Sequence, residues 1–170
     1  MTAHTTHIRY KSDYGSTQEY AEELARRLGV DAAELDHDIP DDGAPVILLS
    51  PVHGPFIPAA TRAEEISGHP MAVVAVCLTL LDIARDKDFL HKQVPPECST
   101  FYLPGRLDMD KLSGSHRATL ASISTMLRAK PFKSANDKAM IAAVTKGADR
   151  VDFAELDPLV AWAEVASTSS

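Results

Sequence analysis

HIRYKSDYGSTQEYAEELARRLG, residues 7–29, combines a short polar strand, a tight loop and an amphipathic helix. From residue 20 onward, apolar side chains recur at the three- and four-residue spacing of one helix face, and Gly29 suits the helix end. Ser16 and Glu19 have the spacing of a capping box, in which Ser16 caps the helix and Glu19 reaches back. A strand that passes through a short loop into a helix is the expected first unit of an α/β fold.

Short apolar runs farther along predict the other strands. Residues 45–50 and 71–78 lack polar alternation, which is typical of parallel strands covered on both faces. Residues 99–103 predict a further strand, and residues 30–35 a marginal one at the sheet edge. Helices are predicted from Ser134 to Gly147 and from Asp157 onward. The alternation predicts a doubly wound parallel sheet in one domain, residues 1–170, with a loose tail at about 167–170.

Composition excludes several classes of protein. Seventeen Lys and Arg against 24 Asp and Glu give a net charge of −7, and no basic run stands out, so nucleic acid is not an expected partner. Two cysteines are too few for a disulfide scaffold or a four-ligand zinc site, and the scattered histidines predict no metal site. The N-terminal sequence lacks the apolar segment of a signal peptide. The longest apolar stretch, from Met71 to Leu81, is too short to span a bilayer as a helix. We therefore expect a cytoplasmic protein without membrane contact.

The loop at residues 12–17 carries the chemistry. Ser12, Ser16 and Thr17 supply hydroxyl donors, Gly15 lets the backbone curl, and the first helical N–H groups point toward the same place. A P-loop lysine and a G-x-G-x-x-G pattern are both absent from the sequence, which disfavours a nucleoside triphosphate and a dinucleotide. The loop predicts a monophosphate site at the switch point of the sheet. The alternative is a plain turn whose serine only caps the helix.

These residues resemble a known family. Ser-Asp-Tyr-Gly-Ser-Thr at 12–17 is similar to the FMN phosphate loop of flavodoxins, with Tyr14 in place of a threonine, and Ser50 to Gly54 is similar to their second flavin loop. Leu103 to Asp108 and the ending from Val151 to Trp162 resemble flavodoxin-domain proteins akin to the menaquinone-dependent protoporphyrinogen oxidases.

The resemblance implies five parallel strands in the order 2-1-3-4-5, a helical insertion in the region of strand 5 at about 105–133, and FMN as cofactor. It also implies that backbone groups of the second and third loops hold the isoalloxazine. The predicted cofactor-binding residues are Ser12, Asp13, Tyr14, Gly15, Ser16 and Thr17 in the first loop, Ser50, Pro51, Val52, His53 and Gly54 in the second, and Cys77, Leu78 and Thr79 in the third.

Three residues have competing interpretations. His53 could contact the flavin and shuttle a proton, or be a solvated loop histidine. Cys77 fits a packing role better than a redox role. Arg106 could meet an anion or pair with Asp108 or Asp110.

We therefore predict an FMN-dependent oxidoreductase or electron carrier that works with a redox partner protein or a small-molecule substrate. One alternative is oxidation of protoporphyrinogen with a quinone acceptor. Another is a flavodoxin-shaped binding module that has lost its flavin. The helix predicted within the insertion, at residues 114–130, either covers the sheet or forms a homodimer contact.

Overall fold

A computed structural model of the protein describes residues 5–168. Its main sheet consists of β1 (His7–Tyr10), β2 (Ala32–Glu34), β3 (Val46–Pro51), β4 (Met71–Cys77) and β5 (Ser99–Pro104). All neighbouring strands pair in parallel, in the order β2-β1-β3-β4-β5. The predicted doubly wound α/β sheet and its strand order are confirmed.

Helices cover both faces of this sheet. They are α1 (Ser16–Leu28), α2 (Pro58–Glu64), α3 (Leu81–Lys87), α4 (Gly114–Arg128), α5 (Ala135–Lys146) and α6 (Asp157–Thr168). Side chains of α1 and α6 share one core with the sheet, and those of α2 and α3 share the opposite core. The last helix runs on to Thr168, so residues 167–168 of the predicted loose tail are helical, and residues 169–170 lie outside the described residues.

The polar character of β1 has a structural reason. The connection from β2 to β3 contains no helix. The side chain of Arg9 holds this connection against the sheet. Arg9 is 6% exposed, and its guanidinium donates to the backbone carbonyls of His37 at 3.3 Å and Asp38 at 2.6 Å. Burial, together with the nearby charge of Arg62, lowers the pKa of Arg9. His7 adds a second anchor, since its Nε2 lies 2.9 Å from a carboxylate oxygen of Asp42.

A long excursion separates β5 from the last helix. It begins with β6 (Arg106–Leu107), passes through α4 and α5, and ends with β7 (Ala148–Asp149), which pairs antiparallel with β6. The predicted insertion, at about 105–133, contains α4. The strand pairing carries the excursion on to residue 149, so that α5 belongs to it as well. We call residues 113–146 the α4–α5 hairpin.

One buried tyrosine holds both ends of this excursion. The hydroxyl of Tyr20, on α1, donates to the carbonyl of Pro104 at 2.5 Å and accepts from the amide of Asp152 at 3.0 Å. Pro104 is the last residue before the excursion, and Asp152 follows it closely. The tyrosine side chain is completely buried.

None of the helices in the described part of the chain combines the length and the apolar character that crossing a membrane requires.

Candidate functional site

The start of α1 differs from the predicted capping box. Gly15, not Ser16, is the N-cap, and its φ of 97° is a left-handed conformation that glycine adopts without a steric penalty. No side chain caps this helix end. The amide of Gly15 instead donates to Ser12 Oγ at 3.1 Å, which closes the loop. Glu19 does not reach back to the cap, because its carboxylate pairs with Arg106 at 2.8 Å.

This helix end carries unused hydrogen-bond donors. Among the described residues, no acceptor is bound to the amides of residues 16–18, which are the first three of the helix. Nor is any group bound to the hydroxyls of Ser16 and Thr17, although these residues are only 8% and 1% exposed. Free amides and hydroxyls at the positive end of a helix dipole form an anion site. The observed geometry therefore fits the phosphate of a bound nucleotide.

Tyr14 turns away from this helix end and toward the excursion. Its ring packs against the small core around Leu107, Leu112 and Val144. Its hydroxyl is hydrogen-bonded to Nδ1 of His116, near the start of α4. The tyrosine thus joins the first loop (residues 11–17) to the insertion instead of presenting its hydroxyl at the helix end.

Asp13 joins the first loop to the second loop (residues 50–57). A carboxylate oxygen of Asp13 lies 2.6 Å from Nε2 of His53, and each side chain is about one-quarter to one-third exposed. Backbone hydrogen bonds between His53 and Phe56 close a tight turn, with Gly54 at a φ of 60°. The carboxylate of Asp13 therefore holds this histidine, which is not free in solvent.

The structure adds His116 and Phe56, two residues that we did not predict as part of the site. The ring of His116 stacks on that of His53, with centroids 5.9 Å apart and planes 26° from parallel. Phe56 is 51% exposed beside the turn of the second loop. Phe56, two residues after Gly54, could have been found in the sequence, whereas His116 lies 63 positions from His53 and no spacing rule connects them.

Two of the predicted binding residues have their side chains committed elsewhere. Ser50 is fully buried, and its Oγ accepts from the amide of Ala59 at 2.9 Å, which satisfies the start of α2. Cys77 packs in the core on the α2–α3 face, and burial raises the pKa of its thiol to about 11. Its carbonyl accepts from Gly105 at 2.9 Å. These contacts support a packing role for Cys77.

The third loop (residues 77–80) is fixed by the excursion. The carbonyl of Leu78 accepts from Arg150 at 2.7 Å, and the amide of Leu80 donates to Asn136 at 2.9 Å. The half-buried Thr79 lies between them. The excursion thus contacts the first loop through Tyr14 and the third through Leu78.

Arg106 forms a salt bridge, but not with the acidic residues that we considered. It pairs with Glu19 at 2.8 Å and with Asp149 at 3.2 Å, and these contacts outweigh burial and raise its pKa. The arginine therefore ties α1 to both strands at the base of the excursion, which leaves the anion-contact interpretation without support.

Comparison with known proteins agrees with this architecture. The family model described as Flavodoxin domain matches residues 7–134, which is most of the chain and includes all three loops. No curated protein and no solved structure matches the chain.

Proposed function

Because the chain belongs to the flavodoxin domain family, we propose that it binds FMN and acts as an oxidoreductase or electron-transfer protein. The observation that carries this proposal is the set of unpaired donors at the start of α1, which follows the loop after β1, beside the switch in strand order between β1 and β3. In doubly wound sheets, ligands bind beyond the carboxyl ends of the strands at such a switch point.

The phosphate of FMN would be held by the amides of residues 16–18 and by the hydroxyls of Ser12, Ser16 and Thr17. Ser12 Oγ already accepts from Gly15, so that its own proton is free to be donated. A doubly charged group at a partly buried helix end gains up to about 2 kcal/mol from the helix dipole alone. Residues 12–17 contain no Lys or Arg, so amides and hydroxyls are the donors that this loop offers.

The second and third loops would hold the isoalloxazine ring. FMN, when bound, supplies one- and two-electron redox chemistry, and the chain supplies position and electrostatics. Backbone groups of Gly54 and Thr79 and the exposed ring of Phe56 are the contacts available there, since both backbone groups of His53 bond Phe56. The side chains of Ser50 and Cys77 would act only by supporting these loops.

His53 is the residue of this site that could hold or move a proton. A carboxylate oxygen of Asp13 lies 2.6 Å from the Nε2 nitrogen of His53, and Nδ1 has no partner among the described residues. Imidazole is a common general acid and base, and a carboxylate at one ring nitrogen fixes the orientation of the ring. We therefore assign His53 as the proton-handling residue and Asp13 as the residue that positions it.

The phosphate assignment is tested by titrating the protein with FMN and, separately, with riboflavin, following the quenching of flavin fluorescence. Ser12→Ala combined with Thr17→Ala removes two hydroxyl donors to a charged group, each of which contributes about 1.5–3 kcal/mol. We expect FMN to bind at least tenfold more weakly. Riboflavin, which lacks the phosphate, should bind the variant and the wild type equally.

Ser122→Ala, on the exposed side of α4, is the matched control and should leave both affinities unchanged. Equal loss of FMN and riboflavin would show that the double variant damages the fold rather than the phosphate site. If wild-type protein is colourless as purified and binds neither flavin, the chain is a flavodoxin-shaped module without cofactor, and the proposal is wrong.

Quinone-dependent oxidation of protoporphyrinogen is the second candidate. It is favoured by the contact of His116 with Tyr14 and His53, because the insertion then contributes a side chain to the rim of the flavin site, where an organic substrate would lie. An assay of porphyrin formation with FMN-loaded protein and menaquinone tests it. No porphyrin above the rate without protein would exclude this activity.

A further inference from the structure

The tip of the α4–α5 hairpin exposes apolar side chains. Helix α4 has no buried residue along its 15 residues. Met126, near its end, is 71% exposed, and Phe132, in the turn that leads to α5, is 90% exposed. A phenylalanine that is nearly free in solvent contributes nothing to the core of its own chain.

The hairpin also differs in charge from the rest of the protein. Residues 113–146 contain six Lys or Arg and one Asp, a net charge of +5, whereas the remainder contains 11 Lys or Arg and 23 Asp or Glu, a net charge of −12. Arg128, Lys130 and Lys133 flank Phe132 in sequence. The tip therefore combines an aromatic anchor with a basic rim on an otherwise acidic molecule.

A groove of complementary character lies between α1 and β2. Its volume is about 350 Å³, and it is lined by Tyr10, Ala25, Val30 and Ala32 together with the carboxylates of Glu22 and Asp31. The remaining lining residue, Arg26, pairs with Glu23 at 2.7 Å. Glu23 also pairs with Arg27, which in turn pairs with Asp157, so this cluster carries no net charge. The groove thus has apolar walls and an acidic rim.

We propose that the tip of the α4–α5 hairpin docks into the α1–β2 groove of a second copy of this chain, with Phe132 as the anchor. The groove lies at the β2 edge of the sheet, while the hairpin starts from the β5 edge, and the exposure of Phe132 shows that the tip is not seated within its own molecule. At physiological ionic strength charges act over about 8 Å, so the local pairing of basic tip and acidic groove outweighs the like net charges.

The charge of the body favours a second copy over a lipid surface. An anionic membrane would attract the tip but repel the remaining −12, whereas in a second copy part of that acidic surface is the binding site. Each copy offers one tip and one groove. The assembly is therefore a closed pair or a longer chain of copies, and in both cases its mass increases with concentration.

Sedimentation equilibrium of the full chain, from low micromolar to several hundred micromolar in 0.15 M salt, tests the proposal. We expect reversible association that weakens in 1 M salt. Phe132→Ser should raise the dissociation constant about tenfold or more, as expected for a buried aromatic anchor. Because Phe132 is so exposed in a single copy, this variant should keep the wild-type circular dichroism spectrum and melting temperature.

A charge exchange identifies the two surfaces. Lys133→Glu with Lys138→Glu reverses charges near the tip but keeps the pair between Lys130 and Asp137, and Glu22→Lys with Asp31→Lys reverses the groove. Neither double variant should associate with itself, but an equimolar mixture of the two should. Lys87→Glu with Lys92→Glu, at exposed positions of α3 and the following turn, is the control and should associate like wild type.

Wild-type protein that remains monomeric over the whole range overturns the proposal. So does association that is unchanged by Phe132→Ser, or a mixture of the reversed variants that fails to associate. Binding of a monomeric protein to vesicles of phosphatidylserine and phosphatidylcholine, lost in Phe132→Ser, would also overturn it and assign the tip to a lipid surface.

Discussion

Tyr20→Phe removes one oxygen atom from the centre of the molecule, and we expect it to loosen the whole excursion between β5 and α6. In the native protein this hydroxyl binds the carbonyl of Pro104 and the amide of Asp152, at 2.5 Å and 3.0 Å. The aromatic ring remains in the variant, so the packing of α1 and the edge-to-face contact with Phe153, at 5.8 Å between centroids, are preserved.

The size of the effect follows from these two hydrogen bonds. Each contributes about 0.5–1.5 kcal/mol net, and a buried partner left unsatisfied costs about 1–3 kcal/mol. Because Tyr20 is fully buried, we expect a loss of about 2–3 kcal/mol in the free energy of unfolding. For a chain of this length, each kcal/mol lowers the melting temperature by about 2–4 °C.

Urea unfolding followed by circular dichroism measures this loss, and hydrogen exchange measured by mass spectrometry shows where it acts. Exchange should accelerate most in residues 105–150, since the tyrosine holds both ends of that segment. Tyr10→Phe is the matched control, because Tyr10 is 9% exposed and its hydroxyl has no hydrogen-bond partner among the described residues. We expect the control to change stability by less than about 0.5 kcal/mol.

The Tyr20 hydroxyl should also make the stability of the protein depend on pH in the alkaline range. Burial raises the pKa of Tyr20 to about 12, whereas an unfolded tyrosine titrates near 10. The folded state therefore holds its proton more tightly, so this contribution to stability is complete below pH 10 and is lost as the pH rises toward 12. Tyr20→Phe should reduce that loss. If it matches Tyr10→Phe in urea, the hydroxyl does not hold the excursion and the reasoning is wrong.

Three further predictions concern the loops around the sheet. Arg9→Leu should accelerate hydrogen exchange in residues 35–45, because two carbonyls lose a charged donor worth about 1.5–3 kcal/mol each; unchanged exchange would contradict this role. Ser50→Ala leaves the amide of Ala59 unsatisfied and should lower the urea midpoint by an amount equivalent to about 1–3 kcal/mol, while a neutral result would show that another group replaces the serine. The amide of Ala44, followed by His7, lowers the pKa of Asp42, so its contribution to stability is present above its unfolded value of 3.8 and lost as the pH falls through the lower folded value. Asp42→Asn should therefore reduce the acid dependence of the melting temperature.

Local patterns in the chain were sufficient to predict the sheet. Uninterrupted apolar runs placed β3 and β4 to within a residue at each end, because strands buried on both faces can tolerate few polar side chains. The stretch at residues 99–103, stopped by Pro104-Gly105, placed β5 equally well. Helix α5 also begins at the predicted Ser134, where Ser134 and Asp137 form a capping box by bonding each other's amides. The same pattern failed at Ser16, where the closing of the first loop by Ser12 moved the cap to Gly15.

The sequence by itself determined the alternation of strands and helices, the loop of hydroxyls and glycine after β1, and the excess of acidic residues. These properties depend on neighbours within a few positions, since periodicity, capping and turn chemistry act over one or two turns of chain. Only the tertiary structure decided which partners the polar and aromatic residues of the loops, β1 and α1 have. It brought His116 to His53, Tyr14 to the core of the excursion, Arg9 to the β2–β3 connection and Tyr20 to both ends of the excursion. These contacts join residues 28 to 132 positions apart, or lie in a core built from distant segments. They form only once the parallel strands and their crossovers have been assembled.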